Sequence, residues 1–190
     1  RAAETEPKAS STYGGGSAMG VYYLLKEMPR GVDPLSPDNI LTMFLSLPTG
    51  LPISGQSRMT ASAKSPLTGG VGDSQCGGFF PARMKYAGYD GIVIRGASAK
   101  PVYLWIHDGE VELRDAAHLW GKVTGEVDAL IKAELGDSKV EILQIGPAGE
   151  NLVLLSAMIN MNNRANGRTG LGAVMGSKRL KAVVVQGSGR

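Results

Sequence analysis

The chain has 190 residues, 43% apolar and 19% charged, with a formal net charge of +3, the balance of a soluble globular protein with one substantial core or two small ones. Its basic residues form no long run, which argues against a nucleic-acid partner, and no apolar run is long enough for a membrane span. A single cysteine, Cys76, excludes an internal disulfide and a cysteine-only metal site and favours a reducing compartment; with no secretory signal of the usual layout, the expected location is the cytoplasm.

Read in chain order, residues 1–13 are a polar segment poor in apolar side chains, and the domain is expected over 14–190. "GGGSAMGVYYLLKEMPRGVDP" reads as a glycine turn opening a helix that Pro29 stops. Residues 39–47 ("NILTMFLSL") have a buried-strand pattern, and 58–65 ("RMTASAKS") alternate like a second strand. "PLTGGVGDSQCGG" is expected to be a loop, "FFPARMKYAG" a short helix and "YDGIVIRG" a strand. "PVYLWIHDGEVELRD" is a hairpin signal, two alternating runs around Asp108-Gly109. "TGEVDALIKAELGD" is an amphipathic helix with Thr124 as N-cap and Gly136 past its end. "KVEILQIGPAGEN" and "LVLLSAMI" read as two strands around a turn, before a glycine-rich loop, a short helix and the strand "LKAVVVQG".

Twenty-seven glycines, about twice the ordinary share, follow no collagen-like period. Residues 77–96 can be laid over 169–187: each is a glycine loop, a short helix and a branched-apolar strand closed by glycine, with Arg58 and Arg164 upstream. The fold expected is α+β, with mixed sheets and short helices in two similar halves. "RANGRTGLGAVMGSK" (164–178) fits neither the Walker loop, since Ser177 precedes Lys178, nor the dinucleotide fingerprint, since Gly176 comes one residue late. Glycine lets a ligand lie on the peptide groups, successive amides form a nest for anions, and Arg164 and Arg168 can close on a phosphate in bidentate fashion. Opposed to this stands a plain packing role for glycines 167, 170, 172 and 176. His107 and His118 have no catalytic context, no paired carboxylates stand out, and Cys76 has no partner thiol. The chain carries binding equipment without visible catalytic equipment.

Three strings, "SPLTGGVGDSQCGGFFPARMKYAGYDGIVIRGASAKPVYLWI", "IGPAGENLVLLSAMIN" and "NRANGRTGLGAVMGSKRLKAVVVQG", resemble the N-terminal domain of the aldehyde ferredoxin oxidoreductase family of tungsten enzymes. The likeness runs from about Gly14 to Gly187. It implies a base for a tungsten bis-pterin cofactor of molybdopterin type, whose two pterin phosphates are bridged by magnesium. By that resemblance Arg58 reaches a pterin phosphate. Gln75, Cys76 and Gly77 form one cofactor-binding strip; Arg164, Ala165, Gly167 and Arg168 form the other. The main-chain carbonyls of Gln75 and Ala165 are the expected magnesium contacts. Gln75-Cys76 stands where the family commonly has Asn-Ser, and Asn166 where it has a small apolar residue. The resemblance further implies a parent enzyme that oxidises aldehydes to carboxylic acids, with electrons passing through a [4Fe-4S] cluster to ferredoxin. The cluster ligands and catalytic residues belong to following domains, a homodimer is a further expectation, and this segment alone should be inert. Three alternatives remain: another reaction of the family such as low-potential reduction of an aromatic thioester, a stand-alone phosphate- or nucleotide-binding module, and a purely structural domain.

Overall fold

The computed structural model describes residues 11–189. The described residues form two sheets. Strands β1 (Leu41–Leu45), β2 (Met59–Lys64), β3 (Val71–Cys76) and β4 (Gly91–Ile94) make a four-stranded antiparallel sheet in the order β3-β2-β1-β4. Strands β5 (Val102–His107), β6 (Glu110–Asp115), β7 (Glu141–Gln144), β8 (Met158–Asn160), β9 (Arg164–Asn166) and β10 (Leu180–Gln186) make a six-stranded sheet in the order β6-β5-β10-β7-β8-β9. In it β5 and β10 run parallel and every other pair antiparallel. The mixed α+β architecture expected from the sequence is thus the one observed.

The principal core lies between the sheets. Leu41, Met43, Met59, Ala61 and Ala63 from one sheet meet Leu143, Met158, Val183 and Val185 from the other. Two short helices, α2 (Phe79–Tyr86) and α5 (Leu171–Ser177), fill this layer with Phe80, Met84, Val174 and Met175. Helix α1 (Gly16–Glu27) covers the outer face of the smaller sheet through Met19, Tyr23 and Leu24 on Ile40 and Phe44. It comes close because Gly20 has no side chain; a Cβ there would lie 2.5 Å from Ser62 Oγ. Helix α3 (Thr124–Leu135) packs Val127 and Ile131 on Tyr103, Trp105, Ile142 and Val184. Val123, not Thr124, is its N-cap, and Glu126 reaches back to the Val123 N–H at 3.3 Å; Gly136 ends it in the left-handed conformation, as its sequence suggested.

The repeat is larger than the stretch legible in the sequence. The orders β3-β2-β1-β4 and β9-β8-β7-β10 are the same antiparallel path traced twice. A helix precedes the first strand of each (α1, α3), and a short helix joins the third to the fourth (α2, α5). The hairpin β5–β6 is an addition to the outer edge of β10, while β4 remains an edge. Pro48-Thr49-Gly50 and Pro147-Ala148-Gly149 stand at equal distances ahead of Met59 and Met158, and each turn packs on the short helix of its own half. Tyr86 donates its hydroxyl to Gly50 O at 2.8 Å, and α4 (Pro147–Glu150) brings Gly149 O to where a Cβ on Gly176 would be 2.0 Å away.

Besides the N-cap, further expectations fail: Arg164–Asn166, expected within a glycine-rich loop, are strand β9. Residues 71–76, "VGDSQC", are a strand, not a loop: they pair along β2 from Met59↔Cys76 to Lys64↔Val71. "LVLLSAMI" supplies only the strand Met158–Asn160. Its first four residues are exposed, Leu155 by 73%, because they form an irregular arm lying over the start of α5.

Lys178, at the end of α5, is buried and donates its ammonium to Gly96 O at 2.9 Å and Pro37 O at 3.4 Å. Burial pulls its pKa down from 10.5 to about 8, with Asp38 opposing. The unfolded chain therefore binds more protons than the folded one between those values, and this group adds stability as pH rises through that window. Burial pushes the Cys76 thiol up to about 12, an effect of opposite sign that sets in above its ordinary value of 9. The difference in unfolding midpoint between wild type and Lys178→Met isolates the lysine. It should shift in favour of wild type from about pH 8 to 10.5; a pH-independent difference contradicts the assignment.

A candidate anion-binding seam

The two halves meet edge to edge where β3 faces β9. Asn166, fully buried, donates its amide to Ser74 O at 2.6 Å, and the Arg168 N–H reaches Ser74 Oγ at 3.4 Å. At the other end of the contact, Asn160 donates its amide to Gly77 O at 3.3 Å. The sequence places these partners far apart; the duplicated fold brings them together because β3 and β9 are the corresponding edges of the two sheets.

At the centre of the seam is the dipeptide Gly77-Gly78, which leads into α2. Gly78 has φ 99°, a conformation costly for a side-chain-bearing residue, and serves as N-cap without a capping side chain. Ser57 donates its hydroxyl to Gly78 O at 2.6 Å, and the Phe79 N–H is accepted by Met161 Sδ at 3.2 Å. Two arginines flank this platform. A Cβ on Gly77 would lie 3.3 Å from Arg58 Nη1, and one on Gly78 would lie 3.4 Å from Arg164 Cγ. The tightest neighbours of a Cβ on Gly78 would be Met161 Sδ at 2.7 Å and Asn160 Oδ1 at 2.9 Å, so the bare backbone makes room for these side chains, with Arg58 and Arg164 beside it.

All eight residues singled out from the sequence lie along this seam, Arg58, Gln75, Cys76 and Gly77 on one side and Arg164, Ala165, Gly167 and Arg168 on the other. Seven of them expose at least part of the residue, and Cys76 does not. Its side chain is 2% exposed and belongs to the core between the sheets. Burial raises its thiol pKa, while Asn160 and Arg58 pull it down. What Cys76 can offer outward is main chain. Among the described residues, Arg58, Arg164 and Arg168 form no ion pair with a carboxylate.

The two halves do not present equal surfaces. The start of α2 meets the side chains of Met161 and Asn160 and leaves Phe79 63% exposed, whereas that of α5 lies under main chain: a Cβ on Gly170 would sit 2.1 Å from Leu154 O, and one on Gly172 2.7 Å from Ala157 O. Glycines 170, 172 and 176 therefore serve close packing. Ser57, Ser74, Asn160 and the packing role of Asn166 were not visible as site residues in the sequence, since each works through a main-chain partner in another segment. His107 and His118 bond Glu112 and Glu134, at 3.0 and 3.1 Å, away from the seam. Among the described residues no three His, Cys, Asp or Glu side chains cluster to hold a metal ion.

Arginine guanidinium groups without internal carboxylates, bare glycine backbone and the positive end of a helix are the donor set of a phosphate or similar anion. The arrangement defines a binding scaffold and not, by itself, a catalytic one. The model of the aldehyde ferredoxin oxidoreductase N-terminal domain matches residues 1–187, and the chain belongs to that family. It is 48% identical to the tungsten-containing aldehyde ferredoxin oxidoreductase of Pyrococcus furiosus over 185 residues, 97% of this chain and 31% of that protein. It is 50% identical to the tungsten-containing aldehyde ferredoxin oxidoreductase of Thermococcus kodakarensis over 176 residues, 93% of this chain and 29% of that protein. The chain thus spans under a third of the length of these relatives. Among solved structures, the active-site complex BamBC of benzoyl coenzyme A reductase, in complex with 1,5-dienoyl-CoA, superposes with a TM-score of 0.94 at 41% identity. That match covers 98% of this chain and 28% of the other.

Proposed function

We propose that this chain is the cofactor-cradling N-terminal domain, residues 14–190, of a tungstopterin oxidoreductase. The observation that supports this reading best is the seam: arginines from both halves standing over one glycine platform, with no carboxylate of the described residues to neutralise them. Arg58 and Arg164 would bind pterin phosphates through charge-assisted hydrogen bonds, and Arg168 would add charge along the same edge. The main-chain oxygens of Gln75 and Ala165 would face a magnesium ion, so replacement of the commoner side chain at Gln75 is tolerated. Gly77 and Gly167 let the ligand approach the backbone closely. When bound, the cofactor would supply two-electron redox chemistry at tungsten; the domain binds it, orients it and shields one side of it from water.

In the parent enzyme the reaction would be oxidation of an aldehyde to a carboxylic acid, with electrons leaving through a [4Fe-4S] cluster to ferredoxin. The cluster and the acid–base residues would lie in the remainder of the parent chain. Exposed apolar side chains, among them Leu51, Ile53, Phe79, Val153, Leu154 and Leu155, are suited to being covered by that remainder. Among the described residues no helix is long and apolar enough to cross a membrane; a cytoplasmic enzyme, assembled as a homodimer, completes the proposal. The second reading, low-potential reduction of an aromatic thioester, is favoured by the likeness to the benzoyl coenzyme A reductase complex. The test is the full-length protein purified from cells supplied with tungstate. Aldehyde-dependent reduction of a viologen dye, with tungsten bound, supports the first reading. Reduction of benzoyl-CoA without aldehyde oxidation transfers the proposal to the second, and absence of bound tungsten overturns both.

A further inference from the structure

The geometry of the seam assigns Ser57 and Asn160 a part in ligand binding without contact to the ligand. We infer that they are positioning residues that clamp the two peptide planes of Gly77-Gly78-Phe79, so that the Gly78 N–H is presented to a phosphate group held beside Arg58. The inference rests on the cofactor reading above.

Each peptide plane has a fixed far side. No cis peptide occurs among the described residues, so the carbonyl and the N–H of each plane point in opposite directions. The Gly77 carbonyl is taken by the Asn160 amide at 3.3 Å. The Gly78 N–H is thereby turned away from Asn160 and β8, while Arg58 Nη1 stands beside Gly77. Among the described residues nothing accepts a hydrogen bond from it. The next plane is held at both ends: its carbonyl, Gly78 O, accepts from Ser57 Oγ at 2.6 Å, and its N–H, on Phe79, donates to Met161 Sδ at 3.2 Å.

A glycine pair needs such clamps. Glycine explores more of backbone space than any other residue, and an unclamped Gly77-Gly78 would rotate its peptide planes among several orientations. Only one of these turns the free N–H away from Asn160 with the Gly77 carbonyl held. Asn160 is fully buried, and its Oδ1 has no hydrogen-bond partner among the described residues. An orphaned buried acceptor costs stability, so the residue is not explained by its own satisfaction. Its amide donates to Gly77 O and also faces the Cys76 thiol at the end of β3, the strand that leads into the glycine pair. Asn160 also anchors the clamp to the second half of the chain, from a strand whose sequence gives no hint of a ligand.

The test uses the full-length protein, loaded in cells supplied with tungstate, with tungsten per chain measured after prolonged dialysis and the unfolding midpoint measured on the cofactor-free form. Ser57→Ala and Asn160→Asp each remove the clamping donor while keeping size. Retention of tungsten should fall about tenfold in each, the equivalent of one hydrogen bond. Ser57→Thr, which keeps the hydroxyl, should restore it, and the midpoint of cofactor-free Ser57→Ala should stay near wild type. Unchanged retention in Ser57→Ala and Asn160→Asp overturns the positioning role, and so does a loss that Ser57→Thr fails to rescue or that follows the midpoint. Arg58→Ala and Arg164→Ala serve as the control for the underlying reading. If they lose tungsten while the clamp variants do not, the positioning role fails alone; if they too retain it, the cofactor reading of the seam fails with it.

Discussion

Glu150→Ala is expected to lower the stability of the domain by about 3–5 kcal/mol. Lys181 lies on β10, in the interior of the six-stranded sheet, and its side chain is 0% exposed; that of Glu150, from α4, is 3% exposed. Lys181 Nζ pairs with Glu150 Oε1 and also donates to Lys122 O at 2.9 Å, while Glu150 Oε2 accepts the Gly121 N–H at 2.7 Å. Burial pulls the Lys181 pKa down and the glutamate pulls it back up. Removing the carboxylate leaves an ammonium in the core with a single carbonyl. The pair as a whole is another matter: two desolvated charges gain little over apolar side chains of equal volume. The double variant Glu150→Leu with Lys181→Met should therefore recover most of the loss. Equilibrium unfolding in denaturant decides it, and a loss below about 1 kcal/mol for Glu150→Ala contradicts the account.

Arg58→Ala and Arg164→Ala should have the opposite profile, with little effect on folding and a large one on the ligand. Each arginine is exposed and forms no ion pair among the described residues, so the fold loses little with it. On the cofactor reading each removes a charge-assisted contact of about 1.5–3 kcal/mol, a tenfold to hundredfold weaker hold per site. Arg→Lys at either position keeps the charge and loses the planar fork, and should fall between wild type and alanine. Tungsten per chain in the full-length protein is the measurement. Retention unchanged in the double alanine variant contradicts the assignment of these residues.

Much of the scaffold was readable because local and global preferences agree there. The β5–β6 hairpin declares itself by alternation and Asp108-Gly109, α3 by its periodicity and Gly136, and β10 by its run of branched residues. Two of the failures have one cause, tertiary context outweighing local pattern. "VGDSQC" contains residues poor in strand propensity, yet its place between β2 and β9 makes it a strand. "LVLL" has the apolarity of a strand and lies outside both sheets, spread over the start of α5. Of the candidate site, the two strips were proposed through the resemblance and the arginines, and they fall on the two edges that meet at the seam. The side chains that join them could not be picked out. Asn160 and Asn166 look like ordinary turn-flanking residues until their partners, 83 and 92 positions away, are known. Cys76 shows the same limit in reverse: a thiol in a site-like string turns out to face the core.

The duplication also bears on how filling the seam and holding the fold together are coupled. Each half closes through neighbouring strands, whereas the bonds across the seam join segments 83 to 94 residues apart and bear the larger loop-closure entropy. A ligand that grips both edges binds only the state in which the halves are docked. By mass action it stabilises that state by RT ln(1 + [L]/Kd). On the cofactor reading, loading of the ligand and the docking of the two halves would be a single linked equilibrium.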